Sequence, residues 1–159
     1  METIPILAKE WRVTFDFKAT SYNKKEWASV LHMTIGGDKT NAGDRTPALW
    51  MRANQGVAVS TALDGRVYRG KSFPGKNPPI NEWASIEVSQ IRDGYKYIFS
   101  LVIMGETLWS VENSKPSEFS DVKVFLSSKW ASAQAGSIRR FKIENKIPGD
   151  RNLGPLYYS

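Results

Sequence analysis

Residues 83–104 read WASIEVSQIRDGYKYIFSLVIM. Ile86 and Val88 alternate with Glu87 and Ser89, and beyond Asp93-Gly94 the side chains of Tyr95, Tyr97, Phe99, Leu101 and Ile103 fall on one face. Alternation with period two marks a half-buried strand, and Asp-Gly between two such runs supplies the positive φ that a tight hairpin turn demands. The stretch predicts an antiparallel hairpin. Gly105-Glu106 then turns the chain into a further strand over Thr107 to Glu112, so a second hairpin follows the first.

The same period extends outward in both directions. Trp11, Val13, Phe15 and Phe17 alternate with Arg12, Thr14, Asp16 and Lys18. In Val30 to Ile35, Leu31, Met33 and Ile35 share one face and His32 shares the other with Val30 and Thr34, before Gly36-Gly37-Asp38 ends the strand. Further strands are predicted over Pro47 to Arg52, Gly56 to Leu63, Val122 to Leu126 and Ser137 to Glu144, the last with a slip in register that suggests a bulge. Arg66 to Pro79 carries Pro74, Pro78 and Pro79, which argues against a central strand there. About ten strands and no amphipathic helix predict an all-β fold, an antiparallel sandwich or closed barrel. A single domain is expected over 1–146, with 147–159 as a C-terminal tail whose Leu156, Tyr157 and Tyr158 dock on the sandwich or on a neighbour.

The chain has 159 residues, a net charge of +6, one His and no Cys. Absence of Cys removes disulfides, thiolate zinc sites and Cys nucleophiles together, and a lone His32 leaves no His pair for zinc. Nineteen aromatics, six of them Trp, exceed what a core of this size uses, and the basic balance favours anionic partners. These features predict a small binding domain and no enzyme. No run approaches the roughly 18 apolar residues of a membrane helix, and Met1 to Lys9 lacks the pattern of a signal peptide. The expectation is a secreted module whose leader is absent from this chain, with a cytoplasmic protein as the alternative.

The second half resembles the concanavalin A-like domains of laminin-G, pentraxin and lectin/glucanase type. The resemblance is carried by the strand around Trp83, Ile86 and Val88, the tyrosine-rich strand after it, the Met104-Gly105-Glu106 hairpin, the strand with Trp109, and the closing strand Gly136-Ser137-Ile138 to Ile143. It implies a jelly-roll β-sandwich in which the closing strand lies beside the opening strand Trp11 to Phe17. Such domains bind glycans on a sheet or its rim, some through calcium. Others bind proteins or sulfated polysaccharides, and one branch hydrolyses glucans. Retaining glucanases of this fold need Glu-x-Asp-x-x-Glu on one strand, to set two carboxylates about 5 Å apart. This chain has no such run.

Candidate ligand-binding residues are Asp44, Arg45, Trp50, Arg52, Arg66, Tyr68, Arg69 and Trp130, with Trp27 as a further aromatic in a loop. Guanidinium holds sulfate or carboxylate bidentately and a flat ring packs the C–H face of a sugar. Gly65 to Pro79, with Arg66, Arg69, Lys71 and Lys76 and no acid, is the most basic stretch; its alternative is a solvated loop pinned by Tyr68 and Phe73. Asp38 and Asp44 are candidate metal ligands should calcium bind, although Lys39 and Arg45 sit among them and Asx residues commonly make turns. No cofactor is required. Trp11, Trp83 and Trp109 are expected in the core. The expected partners are glycans, acidic or sulfated by preference; the alternative is a protein-interaction or self-assembly domain forming a homo-oligomer. Nucleic acid ranks last, for want of a recognition motif.

Overall fold

A computed structural model describes residues 2–147 and, for the backbone, 156–158. The strands are β1 (Glu2–Leu7), β2 (Trp11–Ala19), β3 (Ala28–Thr34), β4 (Ala48–Arg52), β5 (Gly56–Thr61), β6 (Arg69–Phe73), β7 (Trp83–Asp93), β8 (Lys96–Ile103), β9 (Glu106–Asn113), β10 (Phe119–Phe125), β11 (Gly136–Asn145) and β12 (Leu156–Tyr158). They form two six-stranded antiparallel sheets, β1-β10-β3-β4-β5-β6 and β12-β11-β2-β7-β8-β9. Among the described residues no helix is long and apolar enough to cross a membrane.

In β2, buried and half-buried residues alternate without a break from Trp11 to Ala19. Trp11, Val13, Phe15 and Phe17 meet Leu31, Met33, Leu49, Met51, Val57 and Val59 from the facing sheet, and Phe15 stacks on Phe141. The two predicted hairpins form: Asp93 pairs with Lys96, and Ile103 with Glu106, across two-residue turns. β11 pairs with β2 and carries the expected bulge between Arg139 and Lys142, where Arg140 has a φ of 55°.

Three strands were not foreseen. β1 completes one edge by pairing with β10, and β6 forms the opposite edge within the basic, proline-flanked stretch. An edge strand leaves one row of backbone groups unpaired, so the nearby prolines do not exclude it. β12 lies in the expected tail and pairs with β11; the rest of that tail, 148–155 and 159, falls outside the described residues. Trp83 is also not a core residue. It pairs with Lys18 on the outer face of its sheet, because Ala84 and Ile86 are the positions of β7 that turn inward.

β3 is buried over its whole length, on both faces. Its uncharged run Ala28-Ser29-Val30-Leu31-His32-Met33-Thr34 fits that position, since a charged side chain there would lose its hydration. The inner side chains enter the core. The outer ones are covered by the loops 35–47 and 126–135, which form the site.

The crossover from one sheet to the other is clamped by Asn145. Its Oδ1 accepts the Ala8 N–H at 2.8 Å and its Nδ2 donates to the Ile6 carbonyl at 2.7 Å, tying β11 to the end of β1. Replacing Asn145 by Ala strands buried backbone groups of both residues. Its expected cost is about 2–3 kcal/mol, read as a lower urea midpoint with an unchanged m-value.

Candidate functional site

The outer face of the sheet containing β3 to β6 is floored by small side chains. Register sets Ser29, Trp50, Ala58 and Ser72 in one row and His32, Ala48, Ser60 and Gly70 in the next. A Cβ at Gly70 would come within 3.2 Å of the Val59 carbonyl oxygen, so glycine keeps that floor low. Aromatic residues rise around it. Trp27, Trp50, Tyr68 and Trp130 line a cleft of about 440 Å³, together with Asp38, Arg45, Lys71 and Ser128. That volume lies within the range of about 300–1,000 Å³ seen for small-molecule sites.

One wall is built from the loop 35–47. The buried Asp44 carboxylate accepts backbone N–H groups of Gly37, Thr40 and Asn41, which folds the loop around it. Gly37 is required by that close approach, since a Cβ would fall 2.5 Å from Asp44 Oδ2. The folded loop projects Arg45 over the cleft. Its guanidinium lies between the rings of Trp50 and Tyr68, at 4.7 and 4.5 Å, while Nε donates to the Asp38 carbonyl and Nη2 faces Asp38 Oδ1 at 3.4 Å. The arginine is held in place before any ligand arrives.

The other wall is the loop 126–135. β10 pairs with β3 only at His32, Met33 and Thr34, which leaves the β10-facing side of Ser29 free to hold it. Ser29 Oγ donates to the Ser127 carbonyl, its N–H to the Ser132 carbonyl, and its own carbonyl accepts from Gln134. Trp130, 41% exposed, stands over this wall.

His32 joins the walls. It is buried, with Nε2 at 2.7 Å from the Asp44 carbonyl and Nδ1 at 3.2 Å from Ser128 Oγ, and its ring packs 5.1 Å from Trp130 and 6.3 Å from Trp50. A carbonyl only accepts, so Nε2 carries the proton and Nδ1 accepts from the Ser128 hydroxyl. Ser128 Oγ in turn accepts the Trp130 N–H. Burial pushes the His32 pKa below its ordinary value; the Asp44 carbonyl and the nearby Asp38 oppose that shift, and Arg45 adds to it. The ring is therefore neutral at pH 7, and both nitrogens are engaged in holding the cleft.

Of the residues singled out in the sequence, Arg45, Trp50, Tyr68 and Trp130 converge on the cleft, as does Trp27; Lys71 borders it, but its ammonium turns to the rings of Phe73 and Trp109. Asp44 supports it from beneath and does not reach it. Arg52, at the far end of β4, does not line it, and its carbonyl accepts from Asn77. Arg66 lies with Lys115 at a separate cavity at one end of the sandwich, Arg69 pairs with Asp64 at 3.3 Å, and Lys76 pairs with Glu106 at 2.8 Å. The basic stretch is thus dispersed, and two of its cations meet acids outside it, Arg69 the adjacent Asp64 and Lys76 the distant Glu106. As candidate metal ligands, Asp38 and Asp44 face different partners: Arg45 takes the first and three backbone amides the second. Arg45 pairs with Asp38 and not with its neighbour Asp44. The residues that sequence reading missed are Ser60, Gly70, Ser72 and Ser128, which carry no motif and matter only through strand register and loop contact.

No family model and no curated protein matches the sequence. Solved structures do match in fold. A heptameric SAP-like pentraxin from Limulus polyphemus superposes with a TM-score of 0.61 at 11% identity, over 94% of this chain and 69% of the pentraxin. The CBM40 module of the Ruminococcus gnavus IT-sialidase, bound to α2,3-sialyllactose, gives 0.62 at 16% identity, over 91% of this chain and 80% of the module. A human galectin-16 variant gives 0.60 at 10% identity, over 91% and 95% of the two chains. The twelve strands of the described residues form two antiparallel sheets that superpose on these structures over more than nine-tenths of the chain, and the chain adopts the concanavalin A-like jelly-roll fold.

Proposed function

We propose that this domain is a non-catalytic carbohydrate-binding module and that the cleft over β3 to β6 is its glycan site. The observation that carries the reading is the fixed Arg45, held between Trp50 and Tyr68, beside the exposed ring of Trp130 on a floor of small residues. Rings held upright around a flat floor pack against the apolar faces of a pyranose, and the preset guanidinium takes an acidic or hydroxyl group without a further loss of side-chain freedom. The presence of galectins and a sialyllactose-bound module among proteins of this fold supports the same reading. Binding rather than hydrolysis is favoured because, among the described residues, Asp38 is the one carboxylate lining the cleft, and it is paired with Arg45. Paired carboxylates are what glycoside hydrolysis requires. The carboxylate oxygens of Asp44 being occupied, binding is taken to be independent of calcium.

A glycan array probed with and without chelator tests the reading directly. Binding retained in chelator is expected, and silence across every sugar class would sink the proposal. Trp130→Ala is expected to weaken the selected glycan by about tenfold or more, measured by calorimetry. Preference for carboxylated or sulfated sugars is assigned to Arg45. Arg45→Gln should bring the affinity for an acidic glycan down to that for its neutral parent, and an unchanged ratio would remove Arg45 from the site.

The pH dependence follows from His32. Its folded pKa lies below the unfolded value of 6.5, so in acid the unfolded chain takes up a proton that the folded chain resists. Stability is expected to be full above the unfolded value and to fall as pH drops from there towards the depressed folded pKa. Urea midpoints across that window should decline in the wild type and decline less in His32→Gln.

A further inference from the structure

The opposite face of the sandwich carries a second, unrelated cluster. On the outer side of β11, β2 and β7, the Trp83 ring lies 4.1 Å from the Arg139 guanidinium and 5.0 Å from Lys18 Nζ. Arg139 Nε donates to Asp16 Oδ2 at 3.0 Å, and the bulge brings Arg140 to the same oxygen at 3.4 Å. Arg140 keeps this position at a φ of 55°, a conformation that costs a non-glycine residue energy and that fold closure alone does not demand of an arginine. Three cations thus gather around one ring and one carboxylate. Further along the same face the charges are matched, Arg12 with Glu87 at 3.5 Å and Lys142 with Glu144 at 2.6 Å. The surplus is therefore confined to the end near Gly136, where the side chain of Arg140 is 76% exposed.

We infer that this patch is a second binding surface, separate from the cleft, and that its partner is a linear sulfated polysaccharide. The cations stand in two successive rows across adjacent strands, Lys18 beside Trp83 and Arg139 beside Asp16, which suits a chain laid over a flat sheet. Guanidinium N–H groups left over from Asp16 match sulfate oxygens two at a time. Trp83 fixes the cations by cation–π contact. A ring occupied in that way is not offered to a nucleobase, and a nucleic-acid site that reads single strands depends on such stacking.

Heparin is the probe, with binding measured by calorimetry and by the salt needed for elution from an immobilised column. The wild type is expected to bind at low salt. Arg139→Ala/Arg140→Ala should weaken binding by about tenfold or more and lower the slope of log affinity against log salt by about two, one for each lost contact. Arg139→Lys/Arg140→Lys should recover the slope but only part of the affinity, because the fork is lost while the charge remains. Because the cleft is itself assigned a sulfated-sugar contact at Arg45, each comparison is made in an Arg45→Gln background, so that the heparin binding read is that of this surface. Unchanged near-ultraviolet circular dichroism in each variant separates contact loss from misfolding. In that background, binding that survives the double alanine change, or a single-stranded oligonucleotide preferred over heparin of equal charge, would overturn the inference. Loss of glycan binding at the cleft with heparin binding intact would leave this surface standing without the other.

Discussion

Everything at the cleft depends on one neutral imidazole in a place where water does not reach. His32 sits on a strand that is buried on both faces, and each ring nitrogen reaches a different loop: the Asp44 carbonyl on one side, the Ser128 hydroxyl on the other. Because a backbone carbonyl cannot donate, the tautomer is fixed, and with it the direction in which Ser128 must turn. Ser128 then takes the Trp130 amide. The chain of bonds runs from the loop that places Arg45 to the loop that places Trp130, and the ring fills the space beneath both. A residue with little surface of its own decides the spacing of the groups that do have surface.

The positive charge of the chain is organised by its folding partners and not by its position in sequence. Arg69 and Lys76 belong to the same basic stretch, yet Asp64 meets one and Glu106 the other. Arg45 is balanced by Asp38 and held by two rings. Asp16 draws in two consecutive arginines because a bulge turns both to one face. A linear count of Lys and Arg finds the wrong concentration, since it cannot register which acids arrive from another strand.

The hairpins of β7, β8 and β9 were legible because alternation and Asp-Gly or Met-Gly turns are local signals, whereas the pairing of β11 with β2 came only from the family resemblance. Arg45, Trp50, Tyr68 and Trp130, singled out as cations and rings suited to a sugar, do come together along one cleft. β1 and β6 were not legible, being short strands whose existence depends on a partner far away in sequence. Trp83 was misplaced because its bulk was weighed above its register: period two puts it with Ser85, Glu87 and Ser89, opposite the core face of Ala84, Ile86 and Val88. Ser60, Gly70 and Ser72 were beyond sequence reasoning for the same cause, since a floor belongs to several strands together and to no one of them.

The outer strand β6 closes one margin of its sheet with the residues Arg69-Gly70-Lys71-Ser72-Phe73. Phe73 packs against the core and the ammonium of Lys71 lies near the rings of Phe73 and Trp109, between the margins of the two sheets. A second molecule adding its own strand there would have to take that ammonium out of water, next to a proline at position 74 that offers no N–H. The margin nearest the cleft is in this way closed to templated β-extension, so that the domain can expose aromatic rings on the adjacent face at high concentration without that face becoming the start of a fibril.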